Sequence, residues 1–297
     1  MKKRHYSATA GIEWAGAIGE LIYNQLHNFS LLEFIPENFS RKDIVPYRER
    51  LFNKIKELEI PIIIHFTQLS LGSVEKFKKT HWETYFEICK ELPIQSWTDH
   101  LCFTEMNGVS TGQLTPVFYN DDTLKAICSK VSYIQSKIDA PFAIENIAAG
   151  FQLASQQYEE TEFIDLMHQK TGSGLVLDLN NLYVNGENFN IDPYDWIKRV
   201  DPSIVDSVHL AGGFMDGDQF MQDGHNARVP SEVWDLYKFL LKYCDRPLPT
   251  IVERTGANED GLEPIVADIN KANQIMDHMF SENNSAQSSD ETSYLYA

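Results

Sequence analysis

Residues 141–150 read PFAIENIAAG, an apolar run that stops at Glu145 and Asn146 and is followed by small residues. A short run opened by proline and closed by polar side chains reads as a buried strand whose last residues enter a polar pocket. The same event recurs on both sides. PIIIHF delivers His65, SWTDHL delivers His100, GLVLDLNN delivers Asp178, IVDSVHLAGG delivers His209 and TIVERTG delivers Glu253. Six strand-like runs therefore each carry one histidine or acid at the C-terminal tip.

Helical stripes separate these runs. Ile44, Leu51, Ile55 and Leu58 share a face over residues 43–58, and Leu124, Ile127, Val131 and Ile134 share one over 121–138. Two earlier strand candidates, at 7–13 and 31–35, bring the strands to eight, with no linker between them. The expected fold is α/β: a single (β/α)8 TIM barrel over residues 1–280, followed by a disordered polar tail at 281–297. A doubly wound sheet is disfavoured, because no GxGxxG follows the first strand and such a sheet gathers its site at one switch point. Three stretches read as loops: the connection through Gly108, Gly112 and Pro116, the NNLYVNGENFN segment at 180–190, and the glycine-rich excursion at 212–230.

Composition narrows the functional classes. The chain of 297 residues carries 43 acids against 25 bases, a formal net charge of -18. A duplex-binding surface needs the opposite balance, so nucleic acid is not the expected partner. Part of the acidity fits a pocket whose charge is offset by bound cations. No stretch approaches the roughly 18 apolar residues of a membrane span. Glu13 and Glu20 interrupt the start, so no signal peptide is read and a cytoplasmic location is expected. Cys89, Cys102, Cys128 and Cys244 lie far apart without a CxxC pair, which reads as unpaired thiols.

The tips point to metal. A barrel gathers strand ends into one mouth, so His65, His100, Glu145, Asp178, His209 and Glu253 are candidate ligands. QDGHNA adds Asp223 and His225, whose spacing puts both side chains on one side of an extended chain. Imidazole with carboxylate suits iron, zinc or manganese. Eight donors exceed the needs of one ion. Two or three metals follow, with Glu145 or Asp178 as a bridge. Around them, Glu33, Glu37 and Asn38 read as pocket wall or as a capped loop. Asn146, Asn180 and Asn181 are placed to orient ligands or bind substrate, and Arg254 to pair with a carboxylate.

The segments EFIPEN, IHFTQLSLGS, TDHL, AIEN, LVLDLNNLYVN, VHLAGG, DGH and IVER, in this order from Glu33 to Arg254, resemble the multinuclear non-heme iron-dependent oxidases of the DUF692, methanobactin-biosynthesis family. Two segments depart from its usual pattern. GIEWAGAIG, with Glu13 and Trp14, stands where a GxGLR-like opening is usual, and TDHL replaces SEHL. The resemblance implies a TIM barrel of the xylose-isomerase-like type with two or three irons on His65, His100, Glu145, Asp178, His209, Asp223, His225 and Glu253. It also implies an O2-using oxidase or oxygenase acting on a residue, often cysteine, of a ribosomally made precursor peptide. A small partner protein presenting the leader peptide belongs to the same expectation.

Two other classes fit a barrel of this kind. One is a divalent-metal hydrolase or isomerase of the endonuclease IV or xylose isomerase type, which gathers similar residues at its strand ends. The other is a metal-containing peptide-binding protein without catalysis.

Overall fold

The computed structural model describes residues 8–75, 77, 79–217, 220–254 and 261–290. The described chain opens with β1 (Ala10–Glu13), α1 (Gly19–Asn24), β2 (Leu32–Phe34), α2 (Val45–Leu58) and β3 (Ile62–Phe66). Next come α3 (Lys79–Cys89), β4 (Ile94–His100), a hairpin of β5 (Cys102–Met106) and β6 (Val109–Pro116), α4 (Asp121–Gln135) and β7 (Phe142–Glu145). It continues through α5 (Glu160–Thr171), β8 (Gly174–Asp178), α6 (Leu179–Phe189), α7 (Pro193–Arg199) and β9 (Val205–Leu210). A second hairpin, β10 (Phe214–Asp216) with β11 (Phe220–Gln222), precedes α8 (Ser231–Cys244), β12 (Thr250–Val252) and α9 (Glu263–Asp290).

Eight of these strands close into a barrel in the order β1-β12-β9-β8-β7-β4-β3-β2. Every neighbouring pair is parallel. This is the expected (β/α)8 barrel. Strand alternation sends one set of side chains inward and the other toward the helices. Ile62, Ile64 and Phe66 join the large core between strands and helices. Leu31, Ile63 and Ile251 instead form a separate buried cluster, an apolar plug inside the barrel. Gly11 is required beside that plug, because a Cβ there would lie 2.1 Å from the Leu31 carbonyl oxygen. The plug leaves the strand ends as the place where inward side chains can be polar.

Several expected loops are ordered elements. The long connection after β4 is the β5–β6 hairpin, and the 212–230 excursion contains β10 and β11. The NNLYVNGENFN segment is not a loop but most of α6. Its helical period is disguised because Asn180, Asn181 and Asn185 are buried with Leu179, Leu182 and Val184. At the C-terminal end, α9 runs past the expected stop at Met279 to Asp290. No proline or glycine interrupts the chain from Ile265 to Asp290, so the expected tail at 281–297 begins inside this helix. Residues 291–297 lie outside the described residues. Among the described residues, no helix is long and apolar enough to cross a membrane, and all four cysteines are free.

Candidate metal centre

Each barrel strand carries at least one ionisable side chain at or beside its C-terminal end. Alternation turns one per strand inward: Glu13, Glu33, His65, His100, Glu145, Asp178, His209 and Glu253, none more than 7% exposed. Register sets their neighbours: Glu13 lies opposite Glu33, His100 opposite Glu145, and Asp178 opposite His209. Asp223 and His225 reach the ring from the loop after β11, with His225 Nε2 2.8 Å from Asp223 Oδ1. His225 holds a left-handed backbone (φ 47°), a conformation that non-glycine residues seldom adopt.

Each of three histidines is anchored through one ring nitrogen, which aims the other at the centre. Thr98 Oγ1 donates to the Ile64 carbonyl, so it accepts from His65 Nδ1 at 2.7 Å. The Phe66 carbonyl can only accept, and it lies 3.1 Å from His100 Nδ1. Both rings therefore present a bare Nε2, at 3.4 and 3.6 Å from Glu145 Oε2. In His209 the roles are exchanged. Its Nε2 faces Glu33 Oε2 at 3.0 Å, while Nδ1 faces Glu145 Oε1 at 3.4 Å and Glu253 Oε1 at 3.3 Å. An outer partner that fixes tautomer and ring orientation is the usual support of a metal-binding histidine.

The asparagines hold the carboxylates. Asn146 donates to the Asp178 carbonyl and accepts from the Asp178 amide, both at 2.9 Å, and so ties the end of β7 to that of β8. Asp178 Oδ1 caps α6 by accepting from the Asn181 amide, while Oδ2 is buried without a hydrogen-bond partner. Asn181 Nδ2 donates to the Asn146 carbonyl and sits 3.4 Å from Glu145 Oε1. Asn180 donates to Asp223 Oδ1 at 2.7 Å. Farther out, Glu37 accepts from the Thr67 and Gln68 amides and fixes the loop after β3. Asn38 is exposed, with its backbone amide donating to the Ile35 carbonyl. Arg254 is buried, its Nε without a hydrogen-bond partner among the described residues.

In this ring, burial opposes every charge while the histidines and carboxylates favour one another's ionisation. Burial alone would push the Glu145 carboxyl up, but His209, His100 and His65 outweigh it and hold the group at about 2. Burial likewise opposes ionisation of Glu253, and His209 and His225 again win. Elsewhere burial prevails. It pushes Glu33 up to about 7 and, with Glu253 and Glu33 alongside, Glu13 up to about 8. Asp178 is raised well above the usual carboxylate range by burial and by Glu253, Glu145 and Asp223. Burial lowers His65 to about 3, whereas Glu253, Glu33 and Glu145 overcome it at His209 and raise that imidazole.

Among the described residues, ligand atoms converge within 4.8 Å in three groups that share members, His65–His100–Glu145, Glu145–Asp178–His209 and Glu33–His65–His209, and in a fourth that shares none, Glu13–His225–Glu253. Unpartnered buried oxygens on Glu13, Glu33, Glu145, Asp178 and Glu253 suit cation binding, and this donor set fits the metals expected from the sequence. No cysteine enters these groups. The structure brings together all eight candidate ligands and adds Glu13 beside them. Glu33, expected in the pocket wall or in support of a ligand, contacts His209 directly. Glu13 is absent from the candidates although it ends the first strand candidate, because GIEWAGAIG reads only as a departure from the family's usual opening.

The family described as "RiPP precursor modification enzyme MbnB/TglH/ChrH" matches residues 9–277. The chain belongs to this family. Its members modify ribosomally synthesised precursor peptides. A UPF0276 protein of Caulobacter vibrioides is 29% identical over 234 residues, 79% of this chain and 80% of the relative. Another UPF0276 protein, from Bordetella pertussis, is 29% identical over 199 residues, 66% of this chain and 68% of its own length. Among solved structures, an L-ribulose 3-epimerase superposes with a TM-score of 0.56 at 14% identity, covering 98% of this chain and 99% of its own. Endonuclease IV from Thermus thermophilus gives 0.56 at 14% identity, covering 88% and 97%. These structural likenesses show the xylose-isomerase-like barrel alone.

Proposed function

We propose that this protein is a multinuclear non-heme iron, O2-dependent oxidase or oxygenase that modifies a residue, cysteine being the first candidate, of a ribosomally synthesised precursor peptide. The observation that carries the reading is the convergence of anchored histidines on a shared carboxylate: His65, His100 and His209 all face Glu145 within 3.6 Å. In this reading two or three ions would be held, by His65, His100 and Glu145, by Glu145, Asp178 and His209, and, for a third, by Asp223, His225 and Glu253. When bound, the irons supply redox and Lewis-acid chemistry with O2 as co-substrate.

The protein's own residues do the positioning. Thr98, the Phe66 carbonyl and Glu33 fix three ring orientations, while Asn180 and Asn181 hold Asp223 and the α6 cap. The apolar plug of Leu31, Ile63 and Ile251 excludes water from below. A cleft of about 410 Å³, lined by Thr67, Gln68, Tyr85, Ser110 and Gln113 among others, lies between the loop after β3 and the β5–β6 hairpin. It suits a segment of extended peptide approaching the mouth. A small leader-binding partner and a cytoplasmic setting complete the reading.

The test is anaerobic purification, an iron count per chain, and addition of O2 with a precursor peptide. The expected result is more than one iron per chain, an O2-dependent optical change, and loss of metal in Glu145→Ala. One iron or none in the wild type, with metal content unchanged in Glu145→Ala, overturns the reading. Zinc-supported turnover insensitive to O2 would replace it with a hydrolase or isomerase, and peptide binding without O2 uptake with a binding protein.

A further inference from the structure

Glu13 is the one ring carboxylate with no part in the scheme above. It ends β1 at 5% exposure, and its Oε2 is buried without a hydrogen-bond partner among the described residues. Its ligand atoms lie within 4.8 Å of those of His225 and Glu253, donors that come from the loop after β11 and from the end of β12. Neighbouring contacts lock its direction. The Trp14 amide donates to the Glu33 carbonyl at 2.8 Å, and the Trp14 ring packs outward on Phe34, Phe39 and Tyr47 at centroid distances of 5.5, 6.4 and 6.3 Å. Strand alternation then turns Glu13 inward.

Glu253 ties this group to the rest of the ring. Its Oε1 is 3.3 Å from His209 Nδ1, while its Oε2 is 3.7 Å from His225 Nε2. One oxygen therefore faces the Glu145 side and the other the Glu13 side. We propose that Glu13 is a further ligand of the metal position formed by His225 and Glu253, supplied by β1 and making that position richer in carboxylate than the His65–His100–Glu145 position. Two carboxylates with one imidazole, beside Asp223, make a harder donor set than the two imidazoles and one carboxylate of the His65–His100–Glu145 position. The inference rests on the multinuclear reading and adds a residue to it.

The test uses full-length, metal-depleted wild type and Glu13→Gln, titrated anaerobically with ferrous iron against a competing chelator. Bound iron and the iron-induced rise in Tm are both measured. Wild type should bind one ion more than Glu13→Gln, or bind its last ion at least about 10-fold more tightly, by analogy with the losses seen on removing a ligand's support. Glu13→Asp, which keeps a withdrawn carboxylate, should fall between them and serves if Glu13→Gln does not fold. A folded Glu13→Gln with the wild-type iron count, affinity and Tm rise overturns the assignment while leaving the multinuclear reading intact. Wild type that takes up one ion or none overturns both.

Discussion

At the scale of single residues, Thr98 carries an argument that the ligands themselves do not. Its hydroxyl is committed as a donor to the Ile64 carbonyl, which leaves it only an acceptor toward His65. That fixes which nitrogen of a fully buried ring faces Glu145. Thr98→Val keeps the volume and removes the acceptor, so His65 Nδ1–H is left buried and unpaired or the tautomer changes. Metal affinity at the His65–His100–Glu145 position should fall by roughly 10- to 100-fold, with Thr98→Ser close to wild type. A chelator-competition titration checks this, and equal affinities in Thr98→Val and wild type would show that the hydroxyl does not set the tautomer. Asn146 offers a complementary case in which stability is the readout. Its side chain makes two buried bonds to the Asp178 backbone, so Asn146→Ala strands a buried amide and a carbonyl together. The expected loss is about 1–3 kcal/mol for the unmet groups, measured by urea unfolding. An unchanged midpoint would argue that water replaces the amide.

At the scale of elements, the β8–α6 junction does two jobs with one side chain. Asp178 Oδ1 caps the helix and Oδ2 is turned to the ring without a partner. The jobs separate by substitution, because asparagine caps as well as aspartate but is a poor metal ligand. Asp178→Asn should keep the helix and lose metal from the Glu145–Asp178–His209 position, whereas Asp178→Ala should lose metal and also about 1 kcal/mol of stability. Circular dichroism with metal analysis distinguishes the two variants, and full metal content in Asp178→Asn would exclude Asp178 as a ligand. This junction also shows where the sequence stopped being legible. Barrel strands announced themselves because apolar runs ended at an acid or imidazole, and those same endings exposed six of the eight candidate ligands, with Asp223 and His225 read from the polar loop segment QDGHNA. The α6 helix did not, because its asparagines point into a polar site and break the apolar stripe that marks a helix packed on a core. The β5–β6 and β10–β11 hairpins were hidden for a different reason: each pairs a mostly exposed strand, β6 or β10, with a half-buried one, so hydrophobic alternation is weak. Glu33 reads as a pocket residue and not as a tip because it lies inside the apolar run LLEFI, whose residues Leu32–Phe34 form β2.

At the scale of the whole molecule, the barrel concentrates acids that repel one another when no cation lies among them, and stability should report it. In metal-free protein Glu33 and Glu13 have folded-state values of about 7 and 8, above the ordinary 4.5 of an unfolded glutamate. Such groups contribute stability below the unfolded value and lose it as pH rises through the folded value. His209, raised above 6.5, has the same sign. Glu145, held at about 2, and His65, held at about 3, change stability only on the acid side of their ordinary values. Between pH 6.5 and 8.5 the shifted ring groups therefore act together or not at all. In the presence of a chelator, Tm should fall from the start of that interval, the slope easing as pH passes about 7 and then about 8, where Glu33 and Glu13 ionise in the folded protein. Ions that bind the folded ring and not the unfolded chain offset the carboxylate repulsion, so loading with ferrous iron should raise Tm and flatten or reverse the slope. Glu13→Gln removes one of the acids that ionises late, and its metal-free slope should be shallower than that of wild type. Thermal unfolding at several pH values, with and without iron, measures all three curves. A metal-free Tm that is level or rising from pH 6.5 to 8.5 would mean that the strand-end acids are not under the mutual repulsion their packing implies.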